Sequence, residues 1–254
     1  MAKVLEALIA KGRRVRRPRE QKEVAFGLAD LSTHEELHER IVKKGGCKSL
    51  IQLLMKSSDS EAQRFSALAL ANIASAVFNR IAMVQDDVLQ NLITYITNED
   101  SDLIGRQYCA MALGNLAAEP ENHEDIVKLS GVSALISLLK TEDVESGRYA
   151  AFALSNLAAN ANHRQSIVDQ GAIDSLIALA CCEDPNAQRQ ALAALRGICI
   201  SPPYRVQCVR MGVLDPLVLM ARSEEIDILR EVAAALNCLS CMEENKRYQN
   251  HRLS

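Results

Sequence analysis

Tryptophan is missing from this 254-residue chain, and all aromatic residues together make up only 4% of it. A core of this size must therefore be built from Leu, Ile, Ala and Val, a palette that favours close-packed helices over sheets rich in aromatic and β-branched residues. Long apolar runs are also missing. No stretch of about 18 uninterrupted apolar residues occurs, so no transmembrane segment is expected, and no charged-then-apolar leader marks the chain for secretion. Basic excess is absent too: the net charge of −3 and pI near 6.0 argue against nucleic acid as a partner. Eight cysteines lie scattered through apolar segments rather than in turn-rich loops, which predicts reduced thiols in a cytoplasmic or nuclear protein. Neither a glycine-rich phosphate loop nor a Ser, His and Asp constellation can be proposed. We therefore expect no catalytic residues, no cofactor and no small-molecule substrate.

What the chain does have is a repeat. ADLS, ANIA, GNLA, SNLA, RGIC and NCLS recur, and their second residues, Asp30, Asn72, Asn115, Asn156, Gly197 and Cys238, stand 42, 43, 41, 41 and 41 apart. That period belongs to two- or three-helix solenoid units. Other features keep step with this anchor. Eleven residues on come Ile41, Met83, Ile126, Ile167 and Cys208, each followed by valine, and fifteen or sixteen on come Gly46, Gly131, Gly171 and Gly212, with Asp87 as the exception. Glycine at that point suits a helix end that needs a left-handed residue. Twenty residues on, Leu50, Leu92, Leu135, Leu176 and Leu217 open runs with the spacing of a buried helix face.

Each unit reads as a short helix, a glycine turn, a second helix, a polar loop and a longer third helix ending near the anchor. Asp143, Ser223 and Asp184 followed by Pro185 supply helix starts in the loops. Three helices in about 42 residues with an ALxNLA-type anchor resemble the armadillo repeat, most clearly in AMALGNLAAEPENHEDIVKLSGVSALISLL and AFALSNLAANANHRQSIVDQGAIDSLIALA. The implied fold is all-α, a right-handed solenoid of stacked three-helix units. Its expected layout is a partial repeat at 1–33, full repeats at 34–76, 77–119, 120–160, 161–201 and 202–242, and a tail or further repeat at 243–254, all one solenoid domain. Both ends lack an obvious polar cap, which leaves room for self-association.

One motif points elsewhere. HEELH at residues 34–38 matches the HExxH zinc pattern, but the same places elsewhere hold AVFNR, EPENH, NANHR, SPPYR and MEENK. Two ligands at i and i+4 serve one zinc only on a continuous helix, and Pro120 and Pro202 mark this stretch as a turn or helix start. No third ligand follows, so no metal site is expected. Cys238 and Cys241, and the adjacent Cys181 and Cys182, lack the settings of redox or zinc motifs and read as buried or partly buried thiols.

The armadillo resemblance implies that third helices line a concave groove. Eight residues before each anchor stand Lys22, Arg64, Gln107, Arg148, Arg189 and Arg230; four before stand Phe26, Leu68, Met111, Phe152, Ala193 and Ala234. By resemblance, Asn72, Asn115 and Asn156 hold the backbone of an extended ligand, while the basic row favours acidic or phosphorylated segments. Two plainer alternatives stand beside this: arginines paired with acids of the next unit, and asparagines satisfying backbone groups between repeats. Nuclear-import adaptors of this fold use tryptophans and acidic walls, both missing here. The run KGRRVRRPR at 11–19 holds six cations, so the rest of the chain carries about −9. It reads as a solvated loop or as a localisation signal. The expected function is a non-enzymatic protein-interaction module, with a structural scaffold in a cytoskeletal or membrane-associated complex as the alternative.

Overall fold

The computed structural model describes residues 2–241, and every regular element among them is helical. In chain order these are α1 (Ala2–Gly12), α2 (Pro18–Leu31), α3 (Glu35–Lys43), α4 (Gly46–Lys56), α5 (Ser60–Ser75), α6 (Arg80–Val84), α7 (Val88–Thr97), α8 (Leu103–Ala117) and α9 (His123–Lys128). There follow α10 (Gly131–Leu139), α11 (Val144–Ala158), α12 (Ala161–Asp169), α13 (Ala172–Ala180), α14 (Pro185–Cys199), α15 (Pro202–Arg210), α16 (Leu214–Met220) and α17 (Ile226–Ser240). Single 3-10 turns, Val77–Asn79 and Pro120–Asn122, lead into α6 and α9. The fold is all-α. No single helix among the described residues is long and apolar enough to cross a membrane. The final tail, 243–254, lies outside the described residues.

Two compact units divide the chain, Met1–Ala134 and Leu135 onward. In the first, the long helices α2, α5 and α8 pack in succession, and α4 and α7 lie against α5 and α8. In the second, α11, α14 and α17 pack in succession, with α13 against α14 and α16 against α17. Small residues make the close approach possible: α5 buries Ala62, Ala67, Ala69, Ala71 and Ala74 around Leu70 and Ile73. The repeating registers are the core. Leu50, Leu92, Leu135, Leu176 and Leu217 are all fully buried, as are Met83, Ile126, Ile167 and Cys208. Each such leucine contributes about 2 kcal/mol through removal from water.

The turn between first and second helices departs from expectation in a useful way. Positive φ falls at one register throughout, at Gly45, Asp87, Ser130, Gly171 and Gly212, so Gly46 and Gly131 are not the left-handed residues. They are glycines for want of room. A Cβ at Gly46 would lie 2.8 Å from the Ile41 carbonyl oxygen, and one at Gly131 would lie 2.8 Å from that of Ile126. Helix starts mostly follow the sequence. Asp59, Asp102, Asp143 and Asp184 each accept a hydrogen bond from the backbone N–H three residues on, whereas Ser223 does not cap α17 but accepts from Glu225 N–H at 3.1 Å within the preceding turn.

Candidate functional site

The HEELH stretch resolves into a helix cap. His34 precedes α3 in extended backbone, and His38 sits inside it, 2% exposed, its Nε2–H donating to the Ser32 carbonyl at 2.7 Å. That carbonyl belongs to the end of α2, where backbone oxygens lack intrahelical partners. The equivalent residue of every later described unit does the same work. Arg80 donates to Ala74 and Ser75, His123 to Ala117, Arg164 to Ala158 and Ala159, and Arg205 to Cys199 and Ile200. Imidazole reaches one orphan carbonyl and guanidinium reaches two. The constant interval of eight residues from the anchor was the signal for this role, and it was legible in the sequence. No group of three His, Cys, Asp or Glu side chains among the described residues is arranged to hold a metal ion.

Within each unit the third helices pack in succession. On the first, α2 carries Lys22, α5 carries Arg64, Leu68 and Asn72, and α8 carries Gln107, Met111 and Asn115. On the second, α11 carries Arg148, Phe152 and Asn156, α14 carries Arg189, and α17 carries Arg230. Asn72 and Asn115 are half-buried, and each spends one amide N–H on the preceding third helix: Asn72 Nδ2 donates to Ser32 Oγ, and Asn115 Nδ2 to the Ala71 carbonyl, both at 3.0 Å. A second N–H and the amide oxygen on each have no partner among the described residues. Where the anchor is Gly197 there is no room for a side chain, because a Cβ would meet the Ala158 Cβ at 2.9 Å. Phe26 stands at the edge of the first wall, more exposed than not, with its ring 5.2 Å from that of Phe65 in an edge-on contact.

The basic row is far less free than its sequence suggests. Lys22 pairs with Glu61 of the next third helix, and Arg64 makes a two-pronged contact with Asp102 at the start of the one after, at 2.8 and 2.6 Å. These are the links between successive units that the plainer alternative anticipated. Asp102 also caps α8, and the Arg64 guanidinium beside it holds its carboxyl below the usual aspartate range. In the second unit the partners are local. Arg148 is clasped by Glu145 one turn earlier and lies 4.4 Å from the Tyr149 ring centroid, and Arg230 pairs with Asp227 at 2.9 Å. Arg189, half-buried on α14, makes no hydrogen bond or ion pair among the described residues.

Two further expectations change. The basic run at 11–19 is partly structural: Arg13 donates to the Lys44 and Gly45 carbonyls at 3.2 and 2.9 Å, pinning the turn after α1 to the end of α3, while Arg14 and Arg16 stay exposed. All eight cysteines are free thiols, but Cys181 and Cys241 are exposed rather than buried. Burial pushes the Cys47 thiol up to about 12.

Comparison with known proteins now bears on this geometry. The Armadillo/beta-catenin-like repeat pattern matches residues 160–200. An engineered protein solved by the Northeast Structural Genomics Consortium is 30% identical, with a TM-score of 0.85 over 93% of this chain and 96% of that one. The chain belongs to the armadillo-repeat family. A designed armadillo repeat protein has a TM-score of 0.85 at 20% identity, over 92% of this chain and 99% of that one. Another, in complex with the peptide (KR)4, has a TM-score of 0.83 at 19% identity, over 92% and 99%. Among curated proteins, U-box domain-containing protein 18 of Arabidopsis thaliana is 25% identical over 128 residues, half of this armadillo chain and 18% of that protein's length.

Proposed function

We propose that this armadillo chain is a non-enzymatic protein-interaction module that holds an extended segment of a partner protein against its third helices. The carrying observation is the pair Asn72 and Asn115. Among the described residues each keeps an amide N–H and an amide oxygen unspent, one repeat apart, on neighbouring packed helices. Helices pack about 8–10 Å apart and an extended chain advances about 3.3 Å per residue, so one repeat matches roughly three residues of ligand. With one of its two N–H groups already bonded, each primary amide still offers one donor and one acceptor, the complement of a peptide backbone. The half-buried Leu68 and Met111 lie one helical turn before these asparagines and supply apolar contact. Phe152 and Asn156 stand at the corresponding register on α11 in the second unit. A designed neighbour of the same fold, in complex with (KR)4, supports peptide capture as a use of such walls.

A preference for acidic or phosphorylated segments belongs to the second unit in this reading. Lys22 and Arg64 are committed to bonds between successive helices, but among the described residues Arg189 has no partner, and Arg148 and Arg230 pair within their own helices. A phosphate can displace such a carboxylate, because it brings nearly two charges and three acceptor oxygens to a guanidinium fork. Immobilised acidic, phosphorylated and basic versions of one unstructured peptide series, titrated with the chain, test this. Preference for the acidic and phosphorylated versions, lost in Arg148→Glu/Arg189→Glu, is expected. Equal affinity of wild type and variant for the acidic peptides removes the charge preference; failure of the whole series to bind removes peptide capture itself.

A further inference from the structure

A second surface in the first unit breaks the repeat's own pattern. The five places of HEELH face solvent at their second and third residues, and those are Glu35 and Glu36 in one unit and Pro120 and Glu121 in another, with Glu39 and Glu124 following three residues later. The unit between them has Val77, Phe78 and Ile81 at the same three places, and these side chains are 62%, 63% and 48% exposed. Asn79 and Arg80 point the other way, bonding the last carbonyls of α5, so the turn is fixed with its apolar side chains outward. The exposed apolar area is on the order of 300 Å², the scale at which a patch on a single chain marks a contact surface.

Charge frames the patch on both sides. Helix α3 packs against the Val77–Asn79 turn and brings exposed Glu35, Glu36 and Glu39; the Pro120–Asn122 turn packs against α6 and brings Glu121, Glu124 and Asp125 on α9. Lys43 and Lys128 pair with Glu39 and Glu124, but Glu35 and Asp125 make no ion pair among the described residues. A hydrogen bond from Glu121 holds the Glu119 carboxyl above its ordinary range, so these two carboxyls lie side by side, with Arg80 opposing the shift from nearby. Arg80 donates its hydrogen bonds to the backbone carbonyls of Ala74 and Ser75.

We propose that Val77, Phe78 and Ile81 with these flanking carboxylates form a docking surface for a basic amphipathic helix of a partner protein. An apolar stripe bordered by cations on both flanks is what an amphipathic helix presents, whereas an extended strand sends alternate side chains to opposite faces. The acid border repels acidic partners and steers cationic ones. This surface is separate from the asparagine walls, and its occupant is a helix rather than an extended segment.

The test uses the full chain and a synthetic helical peptide with a leucine stripe flanked by lysines, followed by fluorescence anisotropy. Phe78→Glu/Ile81→Glu copies residues already present at these places in neighbouring units, so its melting is expected to match wild type. Its affinity for the peptide is expected to fall by about tenfold or more, as for loss of a central apolar anchor. Glu35→Lys/Asp125→Lys is expected to weaken binding too, and about 0.5 M salt to weaken it in wild type. Asn72→Ala/Asn115→Ala leaves it unchanged, which separates this surface from the peptide walls. Four results overturn the proposal: no binding; equal binding by the Phe78/Ile81 variant; equal binding of a leucine and glutamate peptide; or dimerisation of wild type in sedimentation that the variant abolishes, which assigns the patch to a second copy.

Discussion

Replacing His38 with alanine separates a capping histidine from a metal ligand. The imidazole is 2% exposed and its Nε2–H meets the Ser32 carbonyl at 2.7 Å. Truncation leaves that carbonyl at the end of α2 without its donor, which costs about 1–3 kcal/mol, and empties the ring's volume, which adds about 1–2 kcal/mol. We therefore expect His38→Ala to lower the unfolding free energy by about 2–5 kcal/mol, read from urea denaturation followed by far-ultraviolet circular dichroism. His38→Arg is the informative companion. Arginine makes this same bond at Arg80, Arg164 and Arg205, so it should recover at least half of the loss. A cost below about 0.5 kcal/mol for the alanine variant, within the range of an ordinary surface change, refutes the capping account. So does an arginine variant as unstable as the alanine one.

Other consequences follow from single contacts. Asp102 has a folded-state affinity for protons below that of an ordinary aspartate because of Arg64, so its contribution to stability is present above the usual aspartate range and disappears as pH falls through the depressed value. Acid denaturation curves of wild type and Asp102→Asn should therefore diverge at neutral pH and converge at the acid end; parallel curves contradict the pairing. Gly46→Ala forces a Cβ to 2.4 Å from Ile41 Cγ2 and should cost about 2 kcal/mol or more, whereas Gly171→Ala meets nothing within 4 Å and should cost only the left-handed backbone penalty of about 1 kcal/mol. Thermal melts that rank the two in reverse order contradict the distinction between crowding and backbone conformation.

The repeat and its helices were legible because buried positions at fixed spacing are a property of the chain alone: Leu50, Leu92, Leu135, Leu176 and Leu217 mark the second helices whatever packs on them. Pairing was not legible. Lys22 and Glu61, or Arg64 and Asp102, lie 39 and 38 residues apart, and only the stacking of α2, α5 and α8 brings each cation to the acid of the next helix. A row of positive residues in one register thus became mostly a set of internal links, with Arg189 the exception. The glycine register shows the same limit on a smaller scale. Sequence places a glycine at the turn but does not distinguish Gly45, which needs positive φ, from Gly46, which needs space. Val77, Phe78 and Ile81 were visible as an apolar break in a polar register, but their exposure depends on Asn79 and Arg80 anchoring the turn.

The central claim is that asparagines on the third helices grip the backbone of an extended partner segment. Selecting a library of unstructured displayed peptides on the wild-type chain and on Asn72→Ala/Asn115→Ala, with both proteins shown to melt alike, addresses it most directly. The account predicts a regularly spaced consensus on wild type that titrates with measurable affinity and is lost on the double variant. Recovery of the same consensus with the same affinity on both proteins contradicts it.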